Sequence, residues 1–300
     1  MNRVAQHPVQ AFLAALAAVG TLSIMDAVMK HLVLVIGIFA VSVWRALANL
    51  LVATCLYLPR RGPWPDRKVM RVHIARSVII TVMAFLFFWG IGRVPLAQAI
   101  ALTFIAPLIA LLLASMFLQE RIGSRSIIGS VGAFGGVVII VVGQAQSHLG
   151  PDALLGTLAI LGSALCYAVN IVLMRHQALS AKPLEITFFQ AVCVMVLWLL
   201  AIPVAGVPTL PAGQWGLIGV ASVLSTAGTL LFAWGYARGE ASYLAVTEYS
   251  AFIWASALGW LVFREHVSIY TLCGAVLIVG GCLVAARRKI VAPPEIDVAA

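Results

Sequence analysis

SVIITVMAFLFFWGIGR, residues 77–93, and SVLSTAGTLLFAWGYAR, residues 222–238, are one sequence written twice. At an offset of 145, Ser77, Val78, Thr81, Leu86, Phe87, Trp89, Gly90 and Arg93 become Ser222, Val223, Thr226, Leu231, Phe232, Trp234, Gly235 and Arg238. That is eight identities in 17 positions without a gap. Downstream, the register carries Ala106, Glu120, Gly129, Gly135 and Gly136 onto Ala251, Glu265, Gly274, Gly280 and Gly281. Upstream, it carries Leu13, Ala14, Leu16, Met29 and His31 onto Leu158, Ala159, Leu161, Met174 and His176. Matched Leu and Ala mean little in apolar helices. The shared Trp-Gly-x-x-Arg hinge and the shared Glu mean more. The chain reads as a duplication.

Composition sets the class. The 300 residues are 63% hydrophobic and 10% charged, with mean hydropathy +1.07. Soluble domains carry about 25% charged residues, so an ordinary globular enzyme is excluded. The net charge of +9 comes from short basic segments, with no aromatic-interleaved basic patch for nucleic acid. Five cysteines scattered through apolar runs form neither a disulfide framework nor a metal-ligand spacing. No metal or cofactor is expected.

Ten apolar runs are long enough to cross about 30 Å of hydrocarbon. They fall near 9–29, 38–58, 73–91, 96–118, 126–143, 154–174, 185–205, 215–236, 241–263 and 268–286. The expected fold is therefore an all-α membrane protein of ten transmembrane helices. Its expected units are an N-terminal repeat over 1–148, a C-terminal repeat over 149–289 and a disordered tail over 290–300. With the N-terminus inside, 14 of the 19 Lys and Arg fall in inner segments. Outer segments hold only Lys30, Arg93 and Arg264. This imbalance places both termini in the cytoplasm. Five spans per copy is an odd number, so the second copy enters the membrane inverted. Inverted repeats are a transporter architecture, with the substrate near mid-membrane between the halves.

Ionisable groups inside spans cost roughly 2.5–3.5 kcal/mol each, so each requires a partner or a purpose. Asp26 and Arg45 lie at compatible depth in the first two spans. Arg45 suits a substrate carboxylate, and Asp26 an amino group or a coupling proton. A structural Asp26–Arg45 pair, or Asp26 with Lys30 one turn away, fits equally. Glu248 lies seven residues into the ninth span with no basic residue within one turn, which makes it the candidate proton carrier. Neutralisation by Arg76 or Arg238 is its alternative. Glu120 and Glu265, at helix ends beside Arg121 and Arg264, read as hairpin pins. Trp198, Trp215 and Trp260 lie toward span ends and fit an interfacial belt. Phe85, Tyr167 and Trp254 lie near mid-span, with Gln98, Thr103 and Asn170 at similar depth, which suits a roomy amphipathic cavity. Trp89, Trp234 and Tyr243 complete the expected cavity set. The glycines of the fifth and tenth spans suit close helix packing.

The two five-helix halves, Trp44-Arg45, the Phe-Leu-Gln-Glu-Arg of 117–121, the Leu-Val-Phe-Arg-Glu of 261–265 and the Gly-x5-Gly-Gly after each resemble the EamA-type drug/metabolite transporters. Met25-Asp26-Ala27-Val28-Met29-Lys30-His31 and Glu248-Tyr249 look most like bacterial amino-acid exporters of the inner membrane, including aromatic ones. The resemblance implies alternating access, a cavity between spans one, three, four, six, eight and nine, and small-molecule substrates of the amino-acid kind. It implies the lipid bilayer as surroundings, no nucleic-acid partner, and leaves a homodimer open. Export of other metabolites or drugs is the alternative. A phosphate-binding loop and zinc-protease or nucleophile-elbow motifs are missing, so an intramembrane enzyme is a remote reading, as is a channel.

Overall fold

The structure is a computed structural model, and its described residues are 8–60, 64–106, 108–110, 112–113, 124–146, 152–178, 183–209, 213–236, 238 and 247–286. Among them the regular elements are helical. Ten helices follow in order: α1 (Pro8–Ile36), α2 (Ile38–Tyr57), α3 (Arg67–Ile91), α4 (Leu96–Thr103), α5 (Ser124–Gln146), α6 (Asp152–Ala178), α7 (Pro183–Ala205), α8 (Trp215–Tyr236), α9 (Ser250–Phe263) and α10 (Ile269–Ala286). In hydrocarbon each backbone N–H and C=O must be satisfied within its own segment, and apolar helices achieve this. By length and composition α1, α2, α3, α6, α7 and α8 suffice to cross a membrane. The shorter apolar helices are α4, α5, α9 and α10, the same two members of each repeat.

The helix boundaries correct the sequence reading at one point that matters. The apolar pattern ends the first run at residue 29, before a charged Lys30 in an outer segment. Instead α1 continues to Ile36 and stops at Gly37, whose φ of 80° reverses the chain into α2. Lys30 is inside the helix and 3% exposed, because Glu265 and a backbone carbonyl take its ammonium. Asp26 is consequently ten residues, about 15 Å, from the end of α1 rather than one turn. Arg45 is seven residues, about 10 Å, into α2, so the two remain at comparable depth. The repeat boundary near 148 and the 290–300 tail lie outside the described residues.

The sequence repeat is expressed in the packing. Helices α5 and α10 cross through glycine on both sides. A Cβ on Gly136 would stand 2.6 Å from the Gly274 carbonyl oxygen, and one on Gly281 2.4 Å from that of Gly129. Gly136 meets Gly274 and Gly129 meets Gly281, so the helices are antiparallel. The repeat register exchanges these two contacts, which is what a two-fold axis in the membrane plane demands. The same exchange relates α3 on α6 to α8 on α1. Gly90 lies against the Gly156 carbonyl, and Gly235 against that of Ala11. The main core draws on both repeats, from Met29, Leu32 and Val41 to Ile160, Ala255 and Ile278. These are two inverted five-helix repeats sharing one interior.

Candidate functional site

The matched hinge does the same work in each repeat. The Arg93 guanidinium lies 3.5 Å from the centre of the Trp89 ring and donates to the Trp89 carbonyl at 3.1 Å. Arg238 lies 4.3 Å over Trp234 and donates to its carbonyl at 3.3 Å. The backbone N–H of Arg93 donates to the Gly90 carbonyl at 2.8 Å, and that of Arg238 to the Gly235 carbonyl at 3.0 Å. The motif thus ends α3 and α8, with the indole as a shelf for the cation. Trp89 and Trp234 are placed at these ends. Trp234 also lines an apolar groove of about 810 Å³ between α1 and α8, together with Leu13 and Leu230.

The interior holds two polar poles. On α1, Asp26 shares a helix face with the buried Val19, Ser23 and Lys30, yet keeps some accessible surface while protein surrounds it. Arg45 of α2 is the cation acting on Asp26, and it too is enclosed but partly accessible. Among the described residues no ion pair joins them. The Arg45 guanidinium lies 5.0 Å over the Phe88 ring, and its Nε has no hydrogen-bond partner among the described residues. The two opposite charges therefore act on each other without a direct bridge among the described residues. Lys30, one turn from Asp26, turns instead to Glu265.

The second pole is Tyr167 with Glu248. Tyr167 lies on the face of α6 whose other members, Ile160, Ser163 and Ala164, are buried, yet it is 41% exposed. Its exposure thus falls on a helix face that is otherwise packed. Glu248 acts electrostatically on Tyr167 and Tyr249. Trp254, 40% exposed, lies across Gly20, where a Cβ would come within 3.2 Å of the indole. Gly20 thus makes room for that ring, a role the sequence reading missed.

The remaining expected residues sit in packing contacts around this space. Asn170 accepts from Arg76 Nε at 2.9 Å in a buried α6–α3 bond. Gln98 donates to Thr157 at 3.2 Å, joining α4 to α6, and Thr103 bonds its own helix at Ile100. Phe85 packs on Trp198 with centroids 6.1 Å apart. Trp198 is 7% exposed among Val43, Ala46 and Phe39, so an interfacial belt does not account for it. Trp44 holds the segment between α7 and α8, donating Nε1–H to the Thr209 carbonyl at 2.8 Å beside Trp215. Tyr243 and Glu120 lie outside the described residues. Sequence reasoning also missed the Lys30–Glu265 pair. Its one signal was that Glu265 belongs to the repeat.

Comparison with known proteins decides the family. The sequence profile described as the EamA-like transporter family matches residues 9–142 and again residues 154–287, one match per repeat. The chain belongs to the EamA-like transporter family. The pseudopaline exporter of Pseudomonas aeruginosa is 27% identical over 275 residues, covering 90% of this chain and 93% of the exporter. A riboflavin transporter of Brucella anthropi is 23% identical over 222 residues, 72% of this chain and 76% of its own. A solved crystal structure at 20% identity superposes with a TM-score of 0.61 over 93% of this chain and 96% of its own, which shows the fold. As an EamA-like protein the chain is a multi-pass membrane transporter of small metabolites, not an enzyme.

Proposed function

We propose that this EamA-like protein exports amino acids and related zwitterionic metabolites across the bacterial inner membrane by alternating access. The observation that carries the reading is the unbridged pair of Asp26 and Arg45 on neighbouring helices. Each charge is costly at this depth, and a direct bridge would relieve both. Partly accessible and not bridged to each other, they match the ammonium and carboxylate ends of a zwitterion. Carboxylate recognition by a guanidinium is the stronger, charge-assisted kind of hydrogen bond. The aromatic surfaces of Trp254 and Tyr167 suit side chains of many sizes, so specificity within the class is broad. The pseudopaline exporter's similarity over most of the chain supports the outward direction. The basic inner segments support cytoplasmic termini, with residues 1–148 and 149–289 as the two exchanging units.

Glu248 we assign to coupling. Its charge acts on Tyr167 and Tyr249, whereas Asp26 and Arg45 act on each other, which suits a proton that binds and leaves without displacing substrate. The experiment is uptake of labelled amino acids into proteoliposomes, with and without a pH gradient. Wild type carries several amino acids and responds to the gradient. Glu248→Gln keeps exchange but loses the response. Uptake of none of the amino acids would defeat the substrate assignment, and an unaltered gradient response in the variant would defeat the role of Glu248.

A further inference from the structure

Glu265 joins three elements drawn from both repeats. One oxygen pairs with Lys30 of α1, and the other accepts the N–H of Leu96, the first residue of α4, at 2.8 Å. Lys30 Nζ also donates to the Val94 carbonyl at 2.7 Å. A carboxylate at a helix N-terminus satisfies an orphan N–H and meets the positive end of the helix dipole, which Pro95, the residue before α4, does not do with its side chain. The aim of Glu265 is set by its neighbour. Arg264 closes α9 with a φ of 57°, a left-handed turn that a non-glycine residue adopts only at some cost. The Glu265 N–H then bonds back to the Gly259 carbonyl at 3.0 Å.

Around this junction the bundle is sealed. Met29, Leu32, Ile91 and Leu96 have no exposed surface, whereas Tyr167, on the inward face of α6, keeps 41%. We infer that Lys30 and Glu265 form the external closure of the transport path, a cross-repeat latch that holds the start of α4 against α1 and opens once per cycle. Lys30 is buried and the Glu265 side chain is 21% exposed, and desolvation offsets much of the attraction in such a pair, which suits a link that is made and broken repeatedly. The repeat register carries the same charges, Lys30 onto Arg175 and Glu265 onto Glu120, so the charge pair is part of the duplicated design and not an isolated event. The inference rests on the proposed orientation, but not on amino-acid specificity.

The test reads accessibility and needs no substrate. Val33 lies on α1 nearly buried, against the position of Gly92. In cells expressing Val33→Cys with Cys55 and Cys273 changed to Ser, a membrane-impermeant maleimide applied from outside labels position 33 slowly. Adding Lys30→Met or Glu265→Gln raises the labelling rate at least tenfold. Because Glu265 also caps α4, Lys30→Met is the cleaner of the two. An unchanged rate in both variants overturns the latch. Failure of both variants to accumulate in the membrane also overturns it, since the pair would then hold the fold rather than gate it.

Discussion

Arg45→Gln lowers amino-acid transport roughly 10- to 100-fold while the protein still accumulates and purifies as wild type does, the range expected when a charge-assisted bond to a ligand is lost. Asp26→Asn produces a comparable loss at the ammonium end. The double variant separates binding from architecture. If Asp26 and Arg45 served only to neutralise each other, single neutralisation would leave an uncompensated charge, and removing both would restore function. In the binding account the double variant is as inactive as the singles, because the substrate has lost both anchors. Recovery of transport in the double variant would assign the pair to structure. The Arg45 Nε, unpartnered among the described residues, and the lack of a direct bridge there are what favour the binding outcome.

Gly136→Ala and Gly281→Ala each destabilise the protein by about 1–3 kcal/mol, the cost of forcing a methyl into a filled contact. The added Cβ would stand 2.6 Å and 2.4 Å from backbone carbonyl oxygens of the facing helix. Backbone does not swing aside as a long side chain would, so α5 and α10 must separate along their length. Gly135 and Gly280, the glycines immediately before, have nothing within 4 Å of where a methyl would stand, and Gly135→Ala and Gly280→Ala are neutral or slightly stabilising. Thermal unfolding in detergent reads this contrast directly. Equal effects at 135 and 136 would mean that the glycines act through helix propensity and not through the crossing.

Much of the fold was legible because it follows from two periodicities. Apolar runs of membrane length give the helices, and the 145-residue repeat with an odd number of spans gives their inversion. Gly129, Gly136, Gly274 and Gly281 were legible as packing points because their spacing repeats, whereas Gly132, expected among them, has nothing within 4 Å of an added Cβ. The end of α1 was not. A charged Lys30 reads as a boundary until Glu265, 235 positions away, is known to receive it. Long-range pairing leaves no trace in local pattern. The same limit hid the partner of Trp254, since Gly20 shows its purpose only against an indole from α9. Asp26 and Arg45 stood out because ionisable groups inside a span are rare enough to be conspicuous singly. Trp89 and Trp234 stood out equally, for being repeated, yet repetition marked a helix-ending shelf for arginine. These two repeated tryptophans serve the architecture that both halves share. A site formed once, between the halves, need not repeat, and neither Asp26 nor Arg45 does: the register sets Ile171 and Gln190 opposite them.

The central claim is that one cavity grips both ends of a zwitterion, and competition measures it most directly. Proteoliposomes loaded with an unlabelled amino acid exchange it for the labelled form. Three competitors are then compared: the amino acid itself, the amine lacking its carboxylate, and the acid lacking its amino group. The account predicts strong inhibition by the amino acid and at least tenfold weaker inhibition by either truncated compound, since each leaves one buried charge unanswered. Equal inhibition by all three would contradict it.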